Sequence, residues 1–343
     1  MSLALHPPFL PMEALSVDHI PTGAEWQYEP KWDGFRCLVF RDGDAVELQS
    51  KSGQPLARYF PEIVAAVRAL KPDTFVLDGE IVVPSDGSFS FDALLQRIHP
   101  AQSRITRLAK DTPALLIVFD LLADTDGVSL ADVPLAERRT HLERFARKYF
   151  GRARRIRLSP STTSLTPAKR WLDRVGATLD GIIAKRRDLE YRAGERSGMV
   201  KIKNYRSADC VVGGFRYNTG KRVAGSLLLG LYDDQGLLNH VGFTSTIRSE
   251  EKKALTAKLE KLIAPPGFTG SAPGGPSRWS SKRSAEWQPL KPKLVVEVCY
   301  DHFTGGRFRH GTRLMRWRPD KAPRQCTMDQ VLQKKADLLR LLQ

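Results

Sequence analysis

Glu29-Pro30-Lys31-Trp32-Asp33-Gly34-Phe35-Arg36 is the sharpest stretch of this 343-residue chain. It places a lysine at a turn entering a strand, with carboxylates on both sides and an arginine five positions on. A nucleophilic lysine must be neutral to attack. An ordinary lysine pKa of about 10.4 therefore has to fall through desolvation or neighbouring cations, which basic residues later in the chain can supply. A lone lysine in such a turn is otherwise a surface ion-pair partner, so the reading depends on what the rest of the chain brings to it.

Outward from that stretch, Phe35 to Arg41 and Ala45 to Ser50 read as a hairpin around the Asp42-Gly43 turn. Pro61 opens an amphipathic helix whose Ile63, Val64, Val67 and Leu70 recur at three or four residues. Strands are expected at Thr74 to Val83, Ala114 to Leu121 and Gly181 to Lys185. Helices are expected at Phe91 to Ile98, Leu135 to Tyr149, and Pro167 to Val175 with Gly176 as its stop. This is mixed α+β rather than a regular βαβ series. Beyond Arg206 the pattern changes to short Val-, Leu- and Gly-rich strands at Cys210 to Phe215, Ser226 to Tyr232, Leu237 to Thr244 and Lys293 to Tyr300, with one charged helix at Ser249 to Leu262. That spacing predicts a small OB-like barrel with an inserted helix, and a mobile Pro/Gly loop between Pro265 and Pro276. The expected domains are 1–206 and 207–343.

Three further segments end apolar strands in polar residues that a rigid sheet would aim at one cleft. They are Asp78-Gly79-Glu80, Phe119-Asp120, and Asp180-Gly181 to Lys185 followed by Lys201-Ile202-Lys203. Alternation puts Lys201 and Lys203 on one face, where like charges repel unless an anion lies between them, so a phosphate ligand is the economical reading.

Composition bounds the rest. Lys and Arg total 54 against 38 Asp and Glu, a net charge of +16, with 41% hydrophobic residues. That apolar content excludes a disordered chain. No apolar run approaches the roughly 18 residues of a membrane span, and no leader is evident, so a cytoplasmic location is expected. Cys37, Cys210, Cys299 and Cys326 are widely separated, which indicates neither zinc nor a disulfide framework. The residues to Arg206 carry +5 and the remainder +11, a distribution suited to gripping a polyanion. A second basic cluster, Arg147, Lys148, Arg152, Arg154, Arg155 and Arg157, surrounds Gly151. It reads equally as a solvated helix end or as a phosphate-tracking edge.

Taken in order, these segments resemble the covalent nucleotidyltransferase superfamily of ATP-dependent polynucleotide ligases and mRNA capping enzymes. Lys31 to Arg36 is similar to its motif I, Ser50-Lys51-Ser52-Gly53 to the element after it, Asp78-Gly79-Glu80 to motif III and Phe119-Asp120 to motif IIIa. Asp180 to Lys185 is similar to motif IV, Lys201 to Lys203 to motif V, and Arg318-Pro319-Asp320-Lys321 to motif VI. The lack of a large N-terminal DNA-binding domain, together with Phe308-Arg309-His310-Gly311-Thr312-Arg313-Leu314 leading into motif VI, brings the resemblance nearest to the stand-alone bacterial LigC-type DNA ligases. Two positions depart from the family pattern: Asp180 stands where Glu is frequent, and Met199 where an aromatic is frequent.

The resemblance implies an adenylation domain of antiparallel sheets and helices followed by an OB-fold β-barrel. It implies an ATP-dependent DNA ligase that seals nicked duplex DNA in repair or recombination as a monomer, through a lysyl-AMP on Lys31 and a DNA-adenylate. Asp33 would orient Lys31, Glu29 take the adenine amino group, Phe119 stack on the ring and Glu80 hold the ribose. Arg36 and Lys51 would face sugar or phosphate, with Lys185 also in the nucleotide site. Lys201 and Lys203 would neutralise the α-phosphate, and Glu80 with Asp180 would hold Mg²⁺ or Mn²⁺. Arg318, Asp320 and Lys321 would order the pyrophosphate when the second domain closes about a hinge near Arg206. A capping-type guanylyltransferase or an RNA ligase would use the same residues, although Glu29 favours adenine. A non-enzymatic OB nucleic-acid binder is the alternative from another class.

Overall fold

The computed structural model describes residues 3–151, 153–174, 179–274, 286–332 and 338–342. The chain forms two compact units, one of residues 1–204 with 334–343 and one of residues 205–333. The division thus falls two residues before the expected cut, and the last segment returns to the first unit.

The first unit holds a five-stranded sheet in the spatial order Ala45–Ser50, Phe35–Asp42, Thr74–Val82, Leu115–Ala123, Ile156–Leu158, and a four-stranded sheet in the order Leu15–Ser16, Met199–Lys203, Gly181–Arg186, Trp26–Pro30. Strand alternation gives the larger sheet two different faces. Cys37, Val39, Leu77, Ile81, Leu116 and Val118 point to one side, where they form a core with Ile63 and Val67 of helix Pro61–Arg68 and Leu142 and Phe145 of helix Leu135–Tyr149. Each such fully buried side chain contributes roughly 1.5–3 kcal/mol. Leu38, Phe40, Val76 and Leu122 point to the other side and meet Met199, Ile183 and Tyr191 across the gap between the sheets. The polar ends of the same strands, not their apolar middles, are therefore left to line a cleft.

Lys31 is not simply at the entry of one strand. It opens the four-residue link between Trp26–Pro30 of one sheet and Phe35–Asp42 of the other. The first of these strands escaped the sequence reading because only Tyr28 is a large buried apolar residue; Gln27 and Glu29 are buried polar groups. The helix expected from Pro167 runs Leu165–Arg174, and the expected end at Val175 and Gly176 lies outside the described residues. At the far end of the chain, Leu338 is buried beside Trp32, Val82, Ile117, Phe119 and Leu179, with its N–H on the Gly87 carbonyl at 2.8 Å.

In the second unit the strands run Leu238–Thr244, Lys221–Tyr232, Arg206–Asn218, Val295–Tyr300, Arg313–Trp317 across the sheet. A parallel bridge from Thr312 back to Thr244 closes this series, with Thr312 N–H on Phe243 O at 3.1 Å and Thr244 Oγ1 on Thr312 O at 2.9 Å. Closure removes the sheet edges and encloses one core that includes Val211, Phe215, Leu229, Val241 and Val296, so the expected OB-type barrel is what the chain forms. Helix Lys252–Glu260 lies within the segment joining two of its strands. The loop expected to be mobile from Pro265 is tied down over its described part. Phe268 is buried in the barrel core, and Thr269, Gly270 and Ser271 exchange backbone hydrogen bonds with Leu238 and His240. The sequence pattern concealed this because one buried aromatic in a Pro/Gly run carries no periodicity; residues 275–276 lie outside the described set.

Candidate active site

Three contacts fix the Lys31 link. Lys31 N–H donates to Gly181 O at 2.9 Å, Trp32 Nε1 donates to Ser159 Oγ at 2.9 Å, and the Trp32 ring meets Phe89 edge-on at 5.8 Å. Gly34 lies so close to the neighbouring strand that a Cβ would collide with the Ile81 carbonyl and come within 2.9 Å of Glu80 Cγ. Gly181, at φ +142°, likewise has the Ile202 carbonyl where a Cβ would stand. These two close approaches bring the link and Asp180 together, and Lys31 Nζ forms an ion pair with the Asp180 carboxylate.

Register builds the floor of the cleft. In the smaller sheet Glu29 lies opposite Ile183, and Ile183 opposite Lys201; one step along, Gln27 lies opposite Lys185 and Lys185 opposite Met199. Positions two apart share a face, so Glu29, Lys185 and Lys201 stand together. From the larger sheet, Arg36 lies opposite Glu80. Between Asp78 and Gly79 the pairing with Leu115–Ala123 shifts from Asp120 to Val118, which leaves Phe119 as an extra residue in a bulge. A bulge re-aims a side chain, and Phe119 here forms part of the cleft wall while its other side packs in the cluster with Trp32, Val82, Ile117 and Leu179.

The resulting cleft spans about 750 Å³. Of the residues singled out from the sequence, Glu29, Lys31, Arg36, Lys51, Glu80, Phe119, Lys185 and Lys201 line it, joined by Met12, Trp32, Ile183 and Met199. The lining mixes an aromatic face with a few charged groups, the make-up of a small-molecule site. Phe119 is 8% exposed, with the Arg36 guanidinium and the Lys185 ammonium each 4.6 Å from its ring centroid. Glu29 accepts from Gln27 Nε2 at 2.8 Å through one oxygen and pairs with Lys185 Nζ at 2.8 Å through the other. Lys51, at the rim, pairs with Glu13 at 3.1 Å, and this hydrogen bond holds the Glu13 carboxyl below the usual range. Lys203 extends the Lys201 row but is not part of the cleft lining.

The electrostatics follow from burial. Lys201 is held below the ordinary lysine range by desolvation and then by the nearby charges of Lys31 and Lys203, the repulsion expected for lysines on one strand face. Glu80 is pushed up to about 7 by burial, which outweighs the pull of Arg36 and Lys31 and is reinforced by Asp33. Carboxylate oxygens of Asp33 and Asp180 lie within 4.8 Å of each other. Asp33 and Asp180 thus bring hard oxygen donors together beside Lys31, of the type that suits Mg²⁺ or Mn²⁺, and a cation there would relieve the negative charge that helps to raise Glu80.

Several supporting residues were not foreseen. Arg36 is gripped at two points by Asp78, at 2.5 and 2.6 Å, and Asp78 also accepts from Tyr191 Oη at 2.6 Å. Tyr191 in turn accepts from Met12 N–H at 3.0 Å. Asp120 is buried against Arg138, whose two nitrogens donate at 2.9 and 3.0 Å. Asp78 and Asp120 stood inside quoted motifs, so their signal was present; Glu13 and Tyr191, far from any motif, had none. In the second unit, Arg318 donates to Asp320 at 2.8 Å and to Asp209 at 2.9 Å, while Lys321 reaches Asp209 at 2.9 Å. The Arg318 hydrogen bonds hold Asp320 down to about 2. Asp209 was missed, although a single acid within Ala208 to Val212 of a buried strand is a readable anomaly.

Comparison with known proteins agrees with this geometry. Residues 11–203 match the ATP dependent DNA ligase domain and residues 220–321 the ATP dependent DNA ligase C terminal region. The chain is 45% identical to DNA ligase C2 of Mycolicibacterium smegmatis and 43% identical to DNA ligase C of Mycobacterium tuberculosis, covering 96% of this chain and 96% of the relative in both cases. A solved structure of a Lig E DNA ligase superposes with a TM-score of 0.56 at 15% identity, over 90% of this chain and 100% of that one, which supports the fold. With its lysine-centred cleft in one unit and its closed barrel in the other, the chain belongs to the ATP-dependent DNA ligase family.

Proposed function

We propose that this enzyme seals nicks in duplex DNA by carrying AMP on Lys31. The observation that carries the reading is Lys31 Nζ paired with Asp180 at the mouth of a cleft walled by Phe119, Glu29 and Lys185. ATP enters as substrate. Phe119 supplies a flat apolar face for the adenine, and Glu29, fixed by Gln27 and Lys185, keeps lone pairs for the exocyclic amine. Glu80 and the Arg36–Asp78 pair border the sugar, and Lys51 and Lys201 meet the phosphate.

For the first step the Lys31 ammonium, oriented by Asp180, releases a proton to water and its amine attacks the α-phosphorus in line; the second proton leaves the nitrogen with the departing pyrophosphate. A nitrogen–phosphorus bond forms, the bond to pyrophosphate breaks, and AMP remains on Lys31 as a phosphoramidate. Asp33 orients the amine, while Lys201 and Lys203 offset charge on the α-phosphoryl oxygens. AMP then moves to the 5′-phosphate of a nick, and the 3′-hydroxyl displaces it to close the strand. Asp33, Glu80 and Asp180 would hold a divalent cation, Mg²⁺ in this reading, which offsets phosphate charge when bound. Arg318, Asp320 and Lys321, clustered on Asp209, would order the departing pyrophosphate. The protein would act as a monomer in the cytoplasm, in keeping with four buried free cysteines and with no helix among the described residues long and apolar enough to cross a membrane.

Incubation with α-labelled ATP and a divalent cation should label the protein, and intact mass should rise by one AMP. Lys31→Ala should abolish both, and GTP should not replace ATP. A mass unchanged by ATP, or labelling that survives Lys31→Ala, would overturn the assignment.

A further inference from the structure

The adenylation unit carries a second basic feature that the cleft does not use. Helix Leu135–Tyr149 ends beside the edge strand Ile156–Leu158, and between them lies an open groove of about 1070 Å³. Arg147, Arg154 and Arg157 line it, Lys148 and Arg155 stand next to them in sequence, and Arg144 lies about one turn before Arg147 on the helix. The carboxylate on the groove, Glu143, is engaged by Arg139 Nε at 2.7 Å. Among the described residues none of those six cations has a carboxylate partner. Arg147 and Lys148 sit in the last helical turn, where they complement the helix dipole, but Arg154 and Arg155 lie beyond it and gain nothing from that effect. Arg157 is held in place by its own bonds to Ala153 O at 2.8 Å and Ile156 O at 3.0 Å.

Such a density of unpaired like charge is unfavourable unless a polyanion covers it. The apolar groups beneath it offer little seat for a protein segment, since Ile156 is 0%, Ala146 7% and Phe150 8% exposed. A visitor meets guanidinium and ammonium groups. The helix is also tied to the catalytic strand, because Arg138 grips Asp120, the residue after Phe119. Arg147 lies nine residues further on, about 14 Å along the helix axis. That distance corresponds to about four base pairs at 3.4 Å each.

We infer that this groove is a phosphate-backbone grip for the duplex flanking the nick, built into the adenylation unit itself. The inference rests on the ligase reading above, and its test separates the two. The exposed residues Arg147, Lys148 and Arg154 are replaced together by Gln in the full-length chain, leaving Arg157 and its backbone contacts alone. Affinity for a nicked duplex, measured by fluorescence anisotropy at several salt concentrations, should weaken about tenfold or more at 0.15 M salt. The slope of log K against log salt should shrink by about 2.7, the loss of three phosphate contacts. Self-adenylation of Lys31 should be unchanged, so that failure of adenylation speaks to the ligase reading and failure of the salt effect to this one. An Arg147→Lys/Arg154→Lys variant should keep wild-type affinity and slope, which a merely structural defect in the Gln variant would not explain. An unchanged slope and affinity in the Gln variant would overturn the proposal and leave the groove to an acidic protein segment or to no ligand.

Discussion

Replacing Gly34 by Ala tests how tightly Lys31 is positioned for the attack proposed above. Gly34 needs no left-handed backbone, so the substitution acts through space alone. Its new Cβ would collide with the Ile81 carbonyl and press on Glu80 Cγ and Val82 Cγ1, each at 2.9 Å. The carbonyl belongs to a central strand, hydrogen-bonded to Phe35–Asp42 on one side and Leu115–Ala123 on the other, and does not yield. The link must move instead, by about 1 Å to restore an ordinary contact, and it carries Lys31 with it. A displacement of that size costs about 100-fold in a reaction that depends on in-line approach. Stability should fall only by about 1–3 kcal/mol, the range for overpacking. The assay is the single-turnover rate of lysyl-AMP formation at saturating ATP, alongside urea unfolding. Gly151→Ala serves as control, since nothing stands within 4 Å of its Cβ and its backbone is ordinary. An adenylation rate for Gly34→Ala within threefold of wild type would refute the reasoning.

Three other substitutions probe different levels. Arg138→Met strands the Asp120 carboxylate, 3% exposed, and should cost about 3–5 kcal/mol in urea unfolding; Asp120→Asn in the same chain should restore part of it, and a loss below about 1 kcal/mol would show the pair to be dispensable. Phe119→Leu removes the flat face but keeps apolar volume, so the KM for ATP should rise about tenfold, within the roughly 1–3 kcal/mol expected for base stacking, while stability shifts by less than about 1.5 kcal/mol. His240 is 5% exposed, and burial followed by the charges of Arg307 and Arg216 pushes it down to about 3. Its unfolded form binds a proton from about pH 6.5 downward and its folded form does not, so it withdraws stability as pH falls through that window. Between pH 7 and pH 5 the cost is about 2 kcal/mol, and His240→Phe should lose that much less than wild type over the same interval.

The sequence made the cleft legible where function writes polar residues onto strand ends. Lys31, Glu80, Phe119, Lys185 and Lys201 each stood beside an apolar run, and each lines the cleft. Strand Trp26–Pro30 was not legible, because its buried Gln27 and Glu29 serve the site and spoil the apolar alternation a strand normally shows. Helix Gln102–Asp111 also escaped: of its residues Ile105 alone is buried, and one buried position gives no period. The bulge that frees Phe119 depends on pairing between two strands about 40 residues apart, which no local pattern encodes. Partners such as Glu13 for Lys51 and Asp209 for Arg318 are tertiary facts of the same kind.

The return of Leu338–Leu342 to the first unit bears on how the molecule is made. During synthesis the barrel emerges whole while the catalytic unit still lacks a piece of the wall behind Trp32 and Phe119. The nucleotide-binding half therefore finishes assembling only after residues 338–342 have left the ribosome. A stop codon at position 333 would spare every motif residue, yet yield a protein whose Lys31 link has lost its backing behind Trp32.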